Sequence, residues 1–330
     1  MGDDRAVWTV RDVLAFAGPY LARAGADSPR LDAEVLLAHA IGVERIKLFL
    51  DPERPLTSDE RSAYRALLQR RARHEPVAYL TGRREFWSLA FDVDPSVLIP
   101  RPESEFIVEE AGKEVRRLSE AGTERAGLMT IVDVGTGSGC LAIAVAAEIR
   151  RRYRAGGTRY LIVASDISGA ALAVAARNAR RLIPWATGPA AGAGAREDDE
   201  GGSGSAVRVS FLQADLLGAL RAGGCGVDLI VANPPYVAES ERRTLPRDVT
   251  DYEPPLALFA PGDGLALYER LVAQAGERVS GGGAVIVELD PRQIARARKI
   301  AAAAGFGEVS VRRDYAGHER VLTARRPARA

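Results

Sequence analysis

The fold of this chain is decided by one stretch of sequence, Ile131-Val132-Asp133-Val134-Gly135-Thr136-Gly137-Ser138-Gly139-Cys140. Its first four residues predict a strand, and the apolar residues within 141–149 predict the helix that follows. The glycines between them allow a tight backbone turn and let a ligand approach without interference from Cβ atoms. The stretch therefore predicts a strand, a ligand-binding loop and a helix in direct succession.

More strand-like runs lie on both sides along the chain, and helical segments separate them. Five of these runs are short and apolar, at residues 130–134, 160–164, 207–211, 227–231 and 284–288. Such an alternation is typical of a parallel sheet that helices cover on both faces. Two last runs, 309–311 and 321–323, are expected to form an antiparallel end to that sheet. The chain is therefore expected to be an α/β protein.

The length and composition suit two domains. The 330 residues are 47% hydrophobic and 27% charged, which is typical of a soluble globular protein with one large and one smaller domain. Residues 1–83 are expected to form the helical domain and residues 101–330 the α/β domain. Residues 188–206 consist mainly of glycine, alanine and charged residues. Because this segment has almost no apolar side chains to bury, it is expected to be a disordered insertion.

Caps and periodicity support the helical prediction for the first domain. Ser28-Pro29 is typical of a helix start, with proline at the first helical position. Leu31, Val35, Leu36, His39 and Ala40 follow at helical spacing, so they are expected to form one apolar face of this helix.

Between the two domains, residues 84–100 have the pattern of a β-hairpin. Apolar and polar side chains alternate over residues 86–93, Asp94-Pro95-Ser96 is the expected turn, and residues 97–99 are the expected second strand. This hairpin is expected to join the helical domain to the α/β domain.

The charge balance limits the possible partners. A formal net charge of +1 argues against a protein that coats nucleic acid through bulk charge, although a local basic patch stays possible. The basic run Arg70-Arg71-Ala72-Arg73 closes a helix that is expected to begin at residue 57. Basic side chains are favourable at a helix carboxyl terminus, so a helix end is the first interpretation and a binding patch the alternative.

No disulfide framework, metal site or membrane-spanning segment is expected. Cys140 and Cys225 cannot form a disulfide framework or a zinc site of the usual spacing, and a reducing cytoplasm fits them best. His39, His74 and His318 share no metal-binding motif. The start of the chain lacks a signal-peptide pattern, and no run of about 18 or more apolar residues occurs.

The glycine loop distinguishes between nucleotide-like ligands. A dinucleotide fingerprint would place its third glycine at position 140, where this chain has Cys140, and a P-loop would need a lysine after the last glycine. The compact glycine spacing, with Asp133 just before it, suits a ligand with a positively charged amino-acid head. S-adenosylmethionine carries both an ammonium and a sulfonium, and it is the expected cofactor.

Further cofactor contacts are expected where the next strands end, because open α/β sheets bind ligands at the carboxyl ends of their strands. Asp166 is expected to accept hydrogen bonds from both ribose hydroxyls. Asp215 is expected to accept one from the adenine amino group, with Leu216 packed on the ring. Together with the loop, the residues expected to bind the cofactor are Asp133, Gly135, Thr136, Gly137, Ser138, Gly139, Asp166, Asp215 and Leu216.

The second chemical feature is Asn233-Pro234-Pro235-Tyr236, which follows the fourth predicted strand. Its two prolines fix their own φ angles and make the turn rigid. The side-chain carbonyl of Asn233 and the backbone carbonyl of Pro234 then form a pair of acceptors for both hydrogens of an NH₂ group. Such a grip aims the nitrogen lone pair at the sulfonium methyl and stabilises positive charge that develops on nitrogen.

This segment is the expected reacting site. Asn233, Pro234 and Tyr236 are the expected catalytic residues, and Asn233, Pro234, Pro235 and Tyr236 are expected to bind the acceptor. Tyr236 would stack against its flat group. No side chain of the segment is an obvious general base, and none is assigned. Taken alone, the segment indicates a planar NH₂ acceptor, either an amide or adenine.

The sequence is similar to the bacterial-type peptide chain release factor N5-glutamine methyltransferases along nearly its whole length. Besides the glycine loop and the Asn-Pro-Pro-Tyr segment, the resemblance rests on Glu75-Pro76-Val77-Ala78-Tyr79-Leu80-Thr81-Gly82, Leu98-Ile99-Pro100-Arg101-Pro102-Glu103-Ser104-Glu105, Tyr252-Glu253-Pro254-Pro255-Leu256-Ala257-Leu258 and Arg313-Asp314-Tyr315-Ala316-Gly317-His318-Glu319-Arg320. It implies a seven-stranded, mostly parallel, Rossmann-like methyltransferase sheet behind a small helical domain that helps to engage the substrate. It also implies that Asn233 touches the cofactor.

The implied reaction is methylation of the glutamine in the Gly-Gly-Gln loop of class 1 peptide chain release factors, release factor 1 and release factor 2. A sister enzyme that methylates a ribosomal-protein glutamine is the alternative, and Val237 is more typical of it. An adenine-N6 methyltransferase is less expected, because it must flip a base and bind phosphates. A cofactor-binding module without catalysis is disfavoured by the intact segment from Asn233 to Tyr236.

Overall fold

The computed structural model describes residues 7–122, 127–153, 158–187, 207–221 and 226–328. The chain divides into two compact units. The first contains Met1–Arg83 and Leu245–Glu253, and the second contains Arg84–Thr244 and Pro254–Ala330. The expected domain boundaries did not include this return of residues 245–253 to the first unit. The insertion expected at 188–206 and Cys225 lie outside the described residues.

The helices in the described part of the chain are α1 (Val10–Arg23), α2 (Pro29–Ala40), α3 (Arg45–Leu50), α4 (Ser58–Arg71), α5 (Val77–Thr81), α6 (Glu105–Glu120), α7 (Cys140–Arg152), α8 (Gly169–Leu182), α9 (Pro184–Thr187), α10 (Arg247–Thr250), α11 (Pro255–Leu258), α12 (Ala266–Arg278) and α13 (Ile294–Ala303). Short 3-10 turns occupy Pro102–Ser104, Glu239–Thr244 and Pro291–Gln293. The strands are β1 (Arg83–Phe86), β2 (Leu89–Asp92), β3 (Leu128–Val134), β4 (Arg159–Asp166), β5 (Val207–Gln213), β6 (Val227–Ala232), β7 (Val237–Ala238), β8 (Phe259–Ala260), β9 (Val279–Glu288), β10 (Glu308–Arg313) and β11 (Glu319–Arg325).

The first unit packs its helices around one apolar core. Its buried side chains include Leu21, Leu36, Leu37, Leu48 and Leu68. The helix that was expected after Ser28-Pro29 is α2, with Pro29 at its first position. The expected apolar face of α2 is correct in part: Leu36 is buried and Ala40 packs against the core, whereas Leu31 and His39 are exposed. The face turned inward also contains Ala33 and Leu37. The buried face of α2 is thus rotated relative to the expected one, and packing against neighbouring helices decides which residues turn inward.

The basic run at the end of α4 is largely engaged inside the first unit. The Arg71 side chain is only 7% exposed, and its Nε donates to Asp32 Oδ2 at 2.7 Å. Arg70 Nε donates to Glu75 Oε2 at 2.8 Å. Two of the three arginines therefore have structural partners, which favours a helix end over a binding patch.

The second unit is built on a seven-stranded sheet in the part of the chain that the structure describes. Its order is β5-β4-β3-β6-β9-β11-β10. The five strands β5, β4, β3, β6 and β9 are parallel to one another, whereas β11 is antiparallel to both β9 and β10. The expected α/β class, the seven strands and the antiparallel end are therefore confirmed, with longer strands than the sequence pattern indicated.

Helices cover both faces of this sheet. On β3, Met129 and Ile131 point into the core that α6 and α7 cover, whereas Val132 and Val134 point into the core beneath α12 and α13. Alternate side chains of one strand thus enter two separate cores. This explains why the strand has a nearly continuous apolar run rather than an apolar-polar alternation.

The β-hairpin exists, but its expected turn is wrong. β1 and β2 are joined by Trp87 and Ser88, whose φ angles are +53° and +57°. Two successive residues with positive φ form the tight turn that matches the twist of a hairpin. Trp-Ser is not a typical pair for this turn, so the alternating pattern concealed it. Asp94 instead caps a local turn by accepting from the Ser96 backbone N–H at 3.0 Å.

The order of the strands creates a switch point beside β3. The chain passes from β3 to β4 and β5 on one side, and then returns to place β6 on the other side of β3. In open α/β sheets, ligands bind outside the carboxyl ends of the strands at such a reversal. Over the described residues, no helix is long and apolar enough to cross a membrane, and no group of three or more potential ligands is arranged for a metal ion.

Candidate active site

The parallel strands bring the expected site residues to one edge of the sheet. Val134 at the end of β3 pairs with Ser165 of β4 and with Ala232 of β6. Ala232 in turn pairs with Val287 of β9, and Asp166 of β4 pairs with Gln213 of β5. Consequently the residues that follow these strand ends form a row, in the order Asp215, Asp166, Gly135, Asn233 and Glu288.

The glycine loop begins with a backbone clasp between β3 and β4. The backbone N–H groups of Gly135 and Thr136 both donate to the carbonyl of Ser165 at 2.9 Å. Gly137 N–H donates to Asp166 Oδ2 at 2.9 Å, and Asp166 Oδ1 accepts from Ser168 N–H at 2.9 Å. The half-buried Asp166 therefore holds the middle of the loop. Both oxygens that are expected to accept from the ribose hydroxyls thus accept backbone N–H groups in the structure.

Asp133 supports the loop from inside the protein. It is fully buried, and its Oδ2 accepts from Thr136 Oγ1 at 2.6 Å and from the Ala142 N–H in α7 at 3.1 Å. Its Oδ1 is buried with no hydrogen-bond partner among the described residues. Burial raises the pKa of Asp133 to about 7, because removal from water disfavours the charged form. A cation bound nearby would compensate for that cost.

The three glycines of the loop have positive φ but different surroundings. Gly135 and Gly137 have φ of +72° and +54°, and a Cβ on either would meet no atom within 4 Å. A Cβ on Gly139, where φ is +84°, would lie 3.1 Å from both Ala175 Cβ and Ile143 Cδ1. The first two glycines thus leave the backbone open to a ligand, whereas Gly139 allows α7 and α8 to pack closely.

These features fit S-adenosylmethionine. The orphaned acceptor of Asp133 lies under a loop whose backbone faces open space, and a positively charged head group suits that charge. Ser138 is also buried, and Asn178 fixes it by donating from Nδ2 to its backbone carbonyl at 2.9 Å. Thr136 and Ser138 therefore shape the loop from within, while the surface of the loop is left to its glycines.

The adenine end of the expected site is the most exposed part. Asp215 is exposed, and its Oδ2 accepts from an Arg270 NH group at 2.6 Å. Leu216 is half-buried against the core beneath α12 and has φ of +51°. Positive φ is uncommon for a leucine, and such backbone strain is concentrated at functional sites. The Asp215 carboxylate, which is expected to accept from the adenine amino group, is therefore paired with Arg270 in the structure.

The side-chain amide of Asn233 is joined to a buried chain of hydrogen bonds. Asn233 Nδ2 donates to Ser104 Oγ at 2.9 Å, and Ser104 Oγ donates to Glu288 Oε2 at 2.6 Å. Tyr236 OH donates to the other carboxylate oxygen, Glu288 Oε1, at 3.4 Å. The segment from Asn233 to Tyr236, which is the expected reacting site, is therefore anchored by residues from the turn before α6 and from the end of β9.

The backbone of the reacting segment is anchored separately. Gln293 Nε2 donates to the Tyr236 carbonyl at 2.9 Å and to the Asp263 carbonyl at 3.0 Å. A Cβ at Gly264, where φ is +88°, would collide with the Tyr236 carbonyl oxygen. After the segment, β7 pairs in parallel with β8. Glycine is thus required at position 264 for both its backbone conformation and the close approach.

Burial shifts the pKa of both ionisable groups in this network. The pKa of Glu288 is raised, mainly by burial and further by Glu103, although Arg320 and the hydrogen bonds from Ser104 and Tyr236 oppose the shift. The pKa of Tyr236 is raised, mainly by burial and then by the charge of Glu288. Tyr236 is therefore a hydrogen-bond donor at neutral pH, not a phenolate.

Sequence reasoning assigned no role to Ser104, Glu288 or Gln293. Ser104 and Glu288 were visible in the sequence, but the contacts that join them to Asn233 were not. For Glu288 a signal existed: it ends an apolar strand, as Asp133 nearly does and Asp166 does. The strand-end rule that selected those aspartates selects Glu288 as well.

Known proteins share the sequence and fold of this chain. Residues 12–82 match the family model for the PrmC N-terminal domain. The release factor glutamine methyltransferase of Rhodopirellula baltica is 36% identical over 96% of this chain and 96% of its own length. The protein of the same name from Chlorobaculum tepidum is 38% identical over 96% of this chain and 97% of its own length.

Among solved structures, the catalytic domain of hMettl16, crystallised with a MAT2A 3′UTR hairpin, superimposes with a TM-score of 0.51. The match covers 79% of this chain and 83% of that domain at 14% sequence identity, so it shows the methyltransferase fold alone. The two enzymes above share more than a third of their residues with this chain over nearly its full length. This chain therefore belongs to the release factor glutamine methyltransferase family.

Proposed function

We propose that this chain transfers a methyl group from S-adenosylmethionine to the side-chain amide nitrogen, N5, of a protein glutamine. The substrate is the Gly-Gly-Gln loop of class 1 peptide chain release factors, release factor 1 and release factor 2. The observation that carries this proposal is the placement of Asn233 beside the glycine loop, at the switch point of the sheet. Full-length similarity to release factor glutamine methyltransferases supports the choice of substrate.

The cofactor is held by the loop and by the neighbouring strand ends. Gly135 and Gly137 offer an open backbone surface, while Asp133 supplies a buried negative charge for the amino-acid head. Asp166 and Asp215 are the acceptors for the ribose and the adenine amino group, and the half-buried Leu216 packs beside the base. Bound there, S-adenosylmethionine supplies an electrophilic methyl group on a sulfonium.

The Asn233-Pro234-Pro235-Tyr236 segment holds the acceptor. The Asn233 side-chain carbonyl and the Pro234 backbone carbonyl accept the two amide hydrogens, and the Tyr236 ring packs against the flat amide. With the cofactor bound, the amide nitrogen would form a bond to the methyl carbon as the carbon–sulfur bond breaks, the electron pair would remain on sulfur, and one amide proton would pass to solvent water. Positioning and carbonyl dipoles favour this step, because an amide nitrogen is a poor nucleophile.

Two alternative acceptors use the same grip. A ribosomal-protein glutamine presents the same amide, and the adenine amino group is also a planar NH₂. The near-neutral charge of the chain, with a formal net charge of +1, gives no support to a nucleic-acid substrate. We therefore expect no stable nucleic-acid binding. We also expect no membrane association and no metal requirement, and we expect a cytoplasmic enzyme that acts where translation occurs.

The test is methyl transfer from labelled S-adenosylmethionine to four purified acceptors. They are a release factor, its Gly-Gly-Gln variant with glutamine replaced by alanine, a ribosomal-protein substrate and duplex DNA. We expect label on the intact release factor and a loss of at least about 100-fold on the alanine variant, since the only reacting atom is removed. Equal label on the intact release factor and on its alanine variant, or label on DNA alone, would overturn the proposal.

A further inference from the structure

We propose that Ser104 and Glu288 are positioning residues that set the orientation of the Asn233 side-chain amide, so that its carbonyl oxygen faces the acceptor. This inference rests on the proposed function. It assigns a task to two buried polar residues that do not themselves reach the acceptor. The three side chains come from the turn before α6, the end of β6 and the end of β9.

The direction of the hydrogen bonds follows from the carboxylate. An ionised carboxylate only accepts, and Glu288 accepts from Ser104 Oγ at 2.6 Å. Because the hydroxyl has one proton and gives it to Glu288, its oxygen is left to accept. The group of Asn233 that approaches Ser104 must therefore be a donor, and Asn233 Nδ2 does so at 2.9 Å.

An amide whose NH₂ is fixed has its carbonyl oxygen fixed as well. Oδ1 and Nδ2 lie on opposite sides of Cγ, so the Asn233 oxygen points away from Ser104. The two ends of an isolated asparagine amide differ little in shape, and its hydrogen-bond network decides between them. If the amide turned over, Nδ2 would present hydrogens to the acceptor NH₂, and two donors would face each other.

Burial makes this arrangement dependent on the protein groups alone. Ser104 and Glu288 are 2% and 1% exposed, so water cannot take the place of either partner. The charged groups that face Glu288 are Glu103 and Arg320, and the Tyr236 hydroxyl completes its surroundings. Burial and Glu103 raise the pKa of Glu288, whereas Arg320 and the two hydroxyl donors oppose that shift and favour the carboxylate form, which is the form that orients the amide.

The first test compares Ser104→Ala with Ser104→Thr under saturating cofactor and release factor. Alanine removes the hydroxyl, so we expect kcat to fall about 100-fold, with KM and the cofactor Kd within about threefold of the wild-type values. Threonine keeps the hydroxyl, and we expect it to recover most of the lost kcat. Ser280→Ala is the matched control, because the Ser280 hydroxyl is also buried but has no hydrogen-bond partner among the described residues.

The second test asks whether Glu288 acts through Ser104. Glu288→Gln replaces an acceptor with an amide that can donate to Ser104, so the preference for one orientation is lost. We expect a fall in kcat similar to that of Ser104→Ala, and no further fall in the double variant, because both changes break the same chain. Independent, multiplicative effects, or a Ser104→Ala kcat within threefold of wild type, would overturn the inference.

These outcomes are separate from the fate of the proposed function. Transfer by the wild-type enzyme to the release factor tests the substrate, whereas the ratio of variant to wild-type kcat tests the orientation of Asn233. If the wild-type enzyme methylates only the ribosomal-protein glutamine, the same ratios measured on that substrate decide the inference. Equal losses of kcat and of cofactor affinity in Ser104→Ala would show general misfolding of the site and also contradict it.

Discussion

The glycine loop after β3 and the Asn-Pro-Pro-Tyr segment after β6 are neighbours in the sheet, yet they are held by different kinds of contact. Asp133 bonds to residues three and nine positions away, and Asp166 bonds to Gly137 at 29 positions. Asn233 instead depends on Ser104, which is 129 positions away. The loop is thus held by contacts of shorter range in the sequence, whereas the Asn-Pro-Pro-Tyr segment depends on a contact between distant parts of the second unit.

This difference predicts that the two regions control different quantities, the affinity for the cofactor and the rate of transfer. Changes in the glycine loop should act mainly on the affinity for the cofactor, because its open glycine backbone is the surface that we propose for the cofactor. Changes around the Asn-Pro-Pro-Tyr segment should act mainly on the rate of transfer, because the segment aims the acceptor. Four variants test this division.

The largest effect is expected for Asn233→Ala. The variant removes the side-chain carbonyl that grips the acceptor, and we expect kcat to fall by about 1,000-fold or more, while cofactor binding weakens less than about tenfold. Single-turnover transfer and calorimetric titration with the cofactor measure the two quantities. Complete loss of cofactor binding would show that Asn233 mainly holds the cofactor, and it would contradict the difference expected between the glycine loop and the Asn-Pro-Pro-Tyr segment.

The next effect is expected for Gly264→Ala, whose methyl group would collide with the Tyr236 carbonyl. The collision displaces the reacting segment, and we expect kcat to fall about 100-fold with little change in cofactor Kd. Gly262→Ala is the control, because Gly262 also has positive φ but a Cβ there meets no atom within 4 Å. If both variants lose the same activity, backbone strain rather than the collision is responsible.

A smaller effect is expected for Gly137→Ala in the loop. Its φ of +54° is unfavourable for alanine by about 1–2 kcal/mol, so the cofactor Kd should rise about tenfold while kcat at saturating cofactor changes little. Gly305→Ala, at φ of +89° after α13, imposes a comparable strain away from the strand ends and should leave the Kd unchanged. A selective loss of kcat in Gly137→Ala would contradict the division.

The smallest effect is expected for Asp215→Ala at the exposed end of the site. Loss of one exposed acceptor should raise the cofactor Kd about fivefold, which corresponds to about 1 kcal/mol. Arg270→Ala breaks the same ion pair but keeps the carboxylate, and an exposed pair contributes little to stability. If Arg270→Ala weakens binding as much as Asp215→Ala, the ion pair, not contact with adenine, is what matters.

Local patterns predicted the elements of the second unit well. The runs that became β3, β4, β5, β6 and β9 are short, apolar and separated by helices, and except in the edge strand β5 both of their faces pack against apolar cores. The turn of the hairpin was missed, because Trp87 and Ser88 adopt positive φ without the usual glycine or asparagine. The buried face of α2 was predicted only in part, because Leu31 and His39 fit the helical spacing but are exposed, and only packing against neighbouring helices selects the buried residues.

The sequence by itself determined the alternating strands and helices, the glycine loop and the acceptor segment, because each depends on residues close together in the chain. It also determined the family, through segments spread over nearly its full length. Only the tertiary structure decided that Ser104 and Glu288 meet Asn233, and that Gln293 and Gly264 fix the Tyr236 carbonyl. The physical reason is that these hydrogen bonds form only after the strands have paired, and no periodicity in the sequence records contacts between residues so far apart.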